Sequence, residues 1–411
     1  MKKYLVGGAV RDMLLKLPIK EKDWVIVGSN PQEMLNTGYS QVGKDFPVFL
    51  HPKTHEEYAL ARTERKSGLG YTGFICNTTS SITIEEDLYR RDLTINAMAY
   101  DPNTNVIIDP YHGQQDIQLR LLRHVSHTFN EDPLRVLRVA RFAAKLAYMH
   151  FTIAPDTLAL MKTMSKELIT IPSERIWTET KKALITNSPQ IYFKILYYCG
   201  ALKILFPEIN MLFNKFSIAE NHTEMNIGAY TMQALSKIAF LTNDINIRFS
   251  ILCRDLDTKF FFNKTQNNIN TNYINKKQSG ISNIRNLCNR LKIPNKIRNF
   301  AETVSKYRNY LYNFKQLPSE ILIILFNNFD CWHYPNKIEK IILINKSNIT
   351  KYKKFQNDAL SDQEKFLRSA FSIAQKISTV NIINDGFTGV NISKELYLRR
   401  LHALNTWRHK K

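Results

Sequence analysis

The sequence predicts an α+β protein: a small mixed α/β head followed by an all-helical neck, body and tail. Three observations carry this. Residues 1–125 alternate short β-type runs with turn residues. From about Glu131 the apolar residues take helical spacing, with almost no strand pattern. At 44% apolar and 23% charged residues the chain can bury a core, which excludes wholesale disorder.

In chain order, Tyr4–Val6, Trp24–Val27, Tyr58–Ala61 and Val106–Ile108 read as strands, and the second of two helical segments runs over Glu85–Met98. Lys66–Ser81, with its Gly and Ser, reads as a loop. The head spans 1–125 and the neck 126–208, with helices over Leu134–Tyr148, Asp156–Lys162 and Ser173–Ala183. The body spans 209–345 and the tail 346–411. Phe262–Gly280 is polar and Asn-rich without periodicity, the pattern of a long loop; helices resume over Ile284–Leu291 and Asn295–Tyr312.

Charge and cysteine usage bound the partners. The 411 residues carry 57 Lys and Arg against 36 Asp and Glu, a net charge of +21. Residues 201–411 hold 32 basic and 15 acidic residues and 1–200 hold 25 and 21, so most of the excess lies in the second half. Such a field suits a polyanionic partner such as RNA, DNA or an anionic membrane surface; Lys, Asn and Ile enrichment by compositional drift is the plain alternative. Cys76, Cys199, Cys253, Cys288 and Cys331 are odd in number, far apart and form no CxxC pair, which argues for a reducing compartment and against a zinc ribbon. Arg11 and Asp12 interrupt the apolar run after Tyr4 too early for a signal sequence, and no stretch reaches transmembrane length. Together these point to the cytoplasm.

Four segments carry chemistry. In Tyr4-Leu-Val-Gly7-Gly8-Ala9-Val10-Arg11-Asp12 an apolar strand runs into two glycines and a helical stretch, where the backbone can approach a phosphate and Arg11 can reach the same anion; an ordinary Gly-Gly turn is the plain reading. About ten residues later, Glu21 and Asp23 sit two apart in a strand pattern, so their carboxylates share a face and can hold Mg²⁺ against nucleotide phosphates. A solvated acidic pair is the alternative. In Arg90-Arg91-Asp92-Leu93-Thr94-Ile95-Asn96-Ala97, Asp92 and Asn96 lie one turn apart and brace each other, with Arg91 free to reach a triphosphate. In Glu131-Asp132-Pro133-Leu134-Arg135, Asp132 reads as a helix N-cap before an N1 proline, and Arg135, Arg138 and Arg141 recur along one side of the helix. A charged helix face is the plain reading of both. Glu57 is a candidate general base or a surface carboxylate.

Cytosine and adenine present an amino donor beside a ring-nitrogen acceptor on their pairing edge, whereas uracil and guanine present a carbonyl beside an N–H. A carboxylate next to a guanidinium accepts the first pair and rejects the second, and Asp132 with Arg135 supplies these groups.

In order, GGAVRD, the acid-x-Asp, RRDLTINA, EDPLR and the later Ser173-Glu174-Arg175-Ile176-Trp177 resemble the class II tRNA nucleotidyltransferases, or CCA-adding enzymes, of the polymerase-β nucleotidyltransferase superfamily. The resemblance runs through about residue 210. It implies a polymerase-β-like head, Glu21 and Asp23 as catalytic Mg²⁺ ligands, and Gly8, Arg11 and Arg91 on the triphosphate of CTP or ATP. Asp132 and Arg135 would read the base, with Arg138 and Arg141 as further nucleotide contacts. The implied reaction adds C, C and A to a tRNA 3′ end and releases pyrophosphate, in a monomer or homodimer. Bacterial poly(A) polymerases share the pattern, and an inactive RNA-binding protein is the rival from another class.

Two departures stand out. Glu21 occupies the first position of the family's usual Asp-x-Asp. The metal phosphohydrolase signature Cys-His-Asp-Leu-Gly-Lys of long bacterial members corresponds to Cys253-Arg254-Asp255-Leu256-Asp257-Thr258, and arginine has no lone pair to offer a metal. A helical remnant of that domain, without phosphohydrolase activity, is expected.

Overall fold

Strand β1 (Lys2–Val6) of the computed structural model lies between β2 (Asp23–Val27) and a strand nearly a hundred residues away, and this pairing sets the position of everything that follows the glycines. The structure describes residues 1–43, 48–66, 74–218, 224–256, 279–348 and 356–410. They form two compact units, Met1–Phe206 and Pro207–Lys411; the head and neck expected from sequence fall in the first.

In the first unit β1 leads into α1 (Gly8–Leu14), and β2 into α2 (Pro31–Asn36). β3 (Ser40–Val42), β4 (Val48–Leu50) and β5 (Glu57–Leu60) follow, then a hairpin of β6 (Thr63–Lys66) and β7 (Phe74–Asn77), α3 (Ile84–Tyr89), β8 (Ala99–Asp101), β9 (Val106–Ile108) and α4 (Gly113–Leu119). Seven strands form a mixed sheet in the order β3-β4-β5-β2-β1-β8-β9, with β2 and β5 parallel and the other neighbours antiparallel. The two-residue strand period buries both faces. Tyr4, Val6 and Val25 pack with Ile84 and Leu88 on one face, while Ile26, Tyr58 and Leu60 pack with Met34 of α2 on the other.

The neck comprises α5 (Leu134–Leu146), α6 (Pro155–Met164), α7 (Ser173–Leu184) and α8 (Pro189–Tyr198). Helix α5 packs on α7 and α8 and buries Val136, Leu137, Val139, Ala140 and Ala143, so its arginine row is left on the remaining side.

The structure corrects three sequence expectations. The helix expected over Glu85–Met98 stops at Tyr89 and is followed by a 3₁₀ turn at Thr94–Asn96. The reason is tertiary: Asp92, Thr94 and Asn96 are buried polar residues bonded to Arg138, Asp116 and Arg11, and Leu93 bridges to His124. Lys66–Ser81 is not loop throughout, because Phe74–Asn77 pairs antiparallel with Thr63–Lys66. Glu21 precedes β2 rather than lying in it.

The second unit is largely helical, including Ile227–Leu241, Ile245–Cys253, Ser279–Arg290, Asn295–Tyr307, Ser319–Asn328, Lys337–Lys346 and Val390–His409. It also holds a short hairpin, Phe216–Ile218 against Glu224–Asn226, that the helical pattern did not announce. Residues 262–278 of the expected Asn-rich loop lie outside the described residues. Among the described residues no helix is long and apolar enough to cross a membrane.

Gly113 opens α4 against the 3₁₀ turn. A Cβ there would lie 2.4 Å from the Thr94 carbonyl oxygen and 2.9 Å from Met98 Sδ. Gly113→Ala should therefore destabilise the first unit by about 1–3 kcal/mol, the usual cost of forcing atoms into a packed site, read as a lower midpoint in urea unfolding.

Candidate active site

Every residue singled out from the sequence as metal, phosphate or base ligand lines one cleft of about 930 Å³ within the first unit. Eleven lysines and arginines and six carboxylates border it, a balance suited to a nucleoside triphosphate.

At the glycine end, Gly7 has φ +69°, a backbone conformation that side chains other than glycine's rarely allow. Its N–H donates to the Met98 carbonyl (3.2 Å). A Cβ on Gly7 would lie 3.0 Å from Arg91 Nη1, and one on Gly8 would lie 3.4 Å from Arg11 Nη2. The two glycines thus make room for two guanidinium groups as well as for backbone approach.

The carboxylates lie beside this turn. Asp23 begins β2, opposite Val6 on β1 and opposite Glu57 on β5. Glu21, although outside the strand, still acts electrostatically on Asp23. Asp23 is accessible within the cleft yet partly desolvated by it. That desolvation raises its carboxyl above the ordinary value and the Glu21 charge adds to the rise, while Arg91 and Arg138 oppose it. Two accessible carboxylates beside a glycine turn, Glu21 and Asp23, form an oxygen donor set that fits a hard divalent cation.

The cationic side chains are held from behind. Arg11 Nη1 donates to Asn96 Oδ1 (2.6 Å), Asn96 Nδ2 to Asp92 Oδ1 (3.1 Å), and Arg138 Nε to Asp92 Oδ2 (2.7 Å). Arg11 also pairs with Asp12, which in turn faces Lys145 at 3.5 Å. Burial works against the Asp92 charge, but Arg138 and Asn96 outweigh it and hold the carboxyl well below the ordinary range. The bracing of Asp92 by Asn96 is thus as the sequence suggested, although across a 3₁₀ turn. Arg141 bonds Glu179 on α7 (2.5 Å) and stacks over Phe142 at 4.3 Å.

Arg91 is not free, contrary to the sequence reading: Nη2 donates to Asp87 Oδ2 at 3.0 Å. Asp87 is fully buried and also accepts from Arg90 Nη2 (2.5 Å) and the Arg62 N–H (3.3 Å). No sequence argument pointed to Asp87; its place on α3, three and four residues before two arginines, was the available signal.

At the far end, Asp132 Oδ1 accepts from the N–H of Leu134 (3.0 Å), the first residue of α5. Its Oδ2 lies 3.4 Å from Arg175 of α7. Arg135 is buried and donates to the carbonyls of Thr128 (2.7 Å) and Arg90 (2.6 Å), so its guanidinium is fixed in orientation.

Comparison with known proteins agrees with this arrangement. A family model described as "Poly A polymerase head domain" matches residues 3–123, and one described as "Probable RNA and SrmB- binding site of polymerase A" matches 150–212. The chain is 65% identical over 410 residues to the CCA-adding enzyme of Blochmanniella pennsylvanica, covering all of both chains. It is 58% identical to that of Blochmanniella floridana, covering all of this chain and 98% of the other. The chain belongs to the CCA-adding enzyme family. The fold agrees: the Bacillus stearothermophilus CCA-adding enzyme in complex with CTP superimposes with a TM-score of 0.65 at 21% identity, covering 98% of this chain and 89% of that one.

Within this CCA-adding enzyme fold the second unit departs where the sequence did. Arg254 and Asp255 are buried, Arg254 Nη1 bonds Ser347 Oγ (3.0 Å) and Asn348 Oδ1 (2.8 Å), and Arg308 Nε lies 2.6 Å from Asp255 Oδ1. Among the described residues no group of three or more His, Cys, Asp or Glu is arranged around a metal position.

Asp87 links ionisation to stability. Burial disfavours its charge, but Arg90 and Arg91 override this and lower the carboxyl from 3.8 to about 2. The folded value lies below the unfolded one, so the stabilisation is present above about pH 4 and disappears as the pH falls towards 2. Asp87→Asn should cost about 2 kcal/mol at pH 7, and its unfolding midpoint should converge on that of the unmodified chain in acid.

Proposed function

We propose that this chain adds cytidine, cytidine and adenosine in turn to the 3′ end of tRNA, without a nucleic-acid template, consuming CTP and ATP. The observation that supports this best is that one basic cleft, in a member of the CCA-adding family, holds the acidic pair, the glycine turn and the Asp132–Arg135 end of α5 together.

In this reading Gly8, Arg11 and Arg91 receive the triphosphate. The Gly7 N–H is already used by Met98, so Gly8 is the glycine that faces the phosphates. Glu21 and Asp23 hold a divalent ion, Mg²⁺ by the oxygen-only donor set, which when bound neutralises phosphate charge. The 3′ oxygen of tRNA bonds to the α-phosphorus as the bond from that phosphorus to the pyrophosphate oxygen breaks. The hydroxyl proton is taken up by a carboxylate of the site, Glu57, which lies opposite Asp23 on β5.

Asp132 accepts from the exocyclic amino group of C or A, and Arg135, held by two carbonyls, donates to the ring nitrogen. Uracil and guanine would set a carbonyl against the Asp132 carboxylate and an N–H against the guanidinium, an unpaired and costly match. Arg138 and Arg141 complete the nucleotide contacts. The basic excess of residues 201–411 suits the phosphates of tRNA, in the cytoplasm.

Purified protein incubated with tRNA lacking its 3′ CCA, Mg²⁺ and each labelled nucleotide should incorporate C twice and then A once. Long A tracts would instead indicate a poly(A) polymerase, and binding without incorporation an RNA-binding protein. Asp23→Ala should slow addition on the order of 1,000-fold, equivalent to about 4 kcal/mol of lost charge stabilisation, with tRNA retention nearly unchanged. In filter binding, the logarithm of the tRNA binding constant should fall linearly with the logarithm of salt concentration.

A further inference from the structure

At the wall of the cleft, the peptide of Arg62 is gripped at both of its polar groups. Its N–H donates to Asp87 Oδ1 (3.3 Å) and its carbonyl accepts from Arg90 Nε (2.9 Å). Asp87 and Arg90 are themselves paired at 2.5 Å, which closes a small ring of bonds around that peptide. Arg62 directly precedes β6, so this ring sits at the root of the β6–β7 hairpin.

Two bonds leave the ring toward the two ends of the cleft. The second oxygen of Asp87 holds Arg91, whose Nη1 lies over Gly7. The Arg90 carbonyl accepts from Arg135 Nη2 at 2.6 Å. The Asp87 side chain is fully buried and does not border the cleft, and the Arg90 side chain, 16% exposed on the cleft wall, is already engaged by Asp87 and the Arg62 carbonyl.

We propose that Asp87 and Arg90 are positioning residues that fix the root of the β6–β7 hairpin, the phosphate-facing Arg91 and the base-facing Arg135 in one register. The physical argument is rigidity. A guanidinium is planar, and a charged hydrogen bond to a buried carboxylate or carbonyl leaves it little angular freedom. Any displacement of the chain at Arg62 must therefore either break this ring or be carried to the groups that meet the triphosphate and the base. The proposal rests on the reading of Arg91 and Arg135 given above and adds what sets their geometry.

The test uses the full-length chain and tRNA ending before or within CCA. Asp87→Asn should raise KM for CTP and ATP alike by about tenfold with kcat changed far less, because Arg91 loses its anchor. Arg90→Lys keeps the charge but not the planar fork, and should raise incorporation of UTP and GTP relative to CTP and ATP by tenfold or more. Combined with Arg135→Lys it should add no further loss of discrimination, since the Arg90 side chain acts on the base only by fixing the segment whose carbonyl orients Arg135. In the unmodified protein, CTP should slow hydrogen exchange of the Arg62 amide, a readout that needs neither a folded variant nor turnover. An equal loss with all four nucleotides in Arg90→Lys, additive losses of discrimination, or an Arg62 amide indifferent to CTP would each overturn the proposal. A wild-type chain that adds no nucleotide while CTP still protects Arg62 would instead count against the assigned reaction and leave the positioning role standing.

Discussion

Asp92 is the carboxylate on which the cleft depends. It is buried on the 3₁₀ segment, bonded to Asn96 on one oxygen and to Arg138 on the other, and through Asn96 it reaches Arg11 on α1. Three segments far apart in sequence, the glycine turn, RRDLTINA and the first neck helix, are thereby fixed to one another by charged hydrogen bonds. Without such a group the arginines would repel one another into solvent, because several like charges within a few ångströms resist convergence unless counter-charge lies among them. A buried ion network of this kind is poor evidence for net stability, since desolvation offsets much of the attraction. Its return is a preorganised surface of positive charge that need not rearrange when an anion arrives.

The same logic explains why so few cationic side chains in the cleft stand alone. Arg91 leans on Asp87, Arg141 on Glu179, Arg175 on Asp132 and Lys145 on Asp12. Each carboxylate neutralises part of the field and aims the remainder. The carboxylates therefore divide into two kinds. Asp87, Asp92 and Glu179 are buried and hold arginines; Glu21 and Asp23 are accessible, and the Glu21 charge adds to what disfavours ionisation of Asp23. Only the second kind has coordination capacity to offer a cation.

The distinction also marks what was legible in the sequence. The strand–glycine–helix pattern, the neck helices and the row Arg135, Arg138, Arg141 declare themselves through periodicity and spacing, and the structure has all of them. What was missed lies where tertiary bonding overrides local pattern. RRDLTINA has helical spacing but bends into a 3₁₀ turn, since Asp92, Thr94 and Asn96 find partners as distant as Arg138 and Asp116. Asp87 looks like an unremarkable acid in a run of three until its burial is known. Glu21 shows the reverse case: the strand argument for its orientation fails, because β2 begins at Asp23, yet its charge still acts on Asp23.

The second unit repeats this chemistry with a different outcome. Arg254, the residue that the sequence resemblance aligns with a signature histidine, bonds Ser347 and Asn348 through its guanidinium and pairs with Asp255, which is also paired with Arg308. A divalent ion draws several helices onto one point through shared ligands. Here two guanidinium groups draw the segments bearing Arg254, Arg308 and Ser347 together around a single buried carboxylate, and they do so without an exchangeable site. Removing Arg254 alone would leave Asp255 buried with half its counter-charge gone, and a histidine in its place would meet Arg308 rather than a vacant carboxylate.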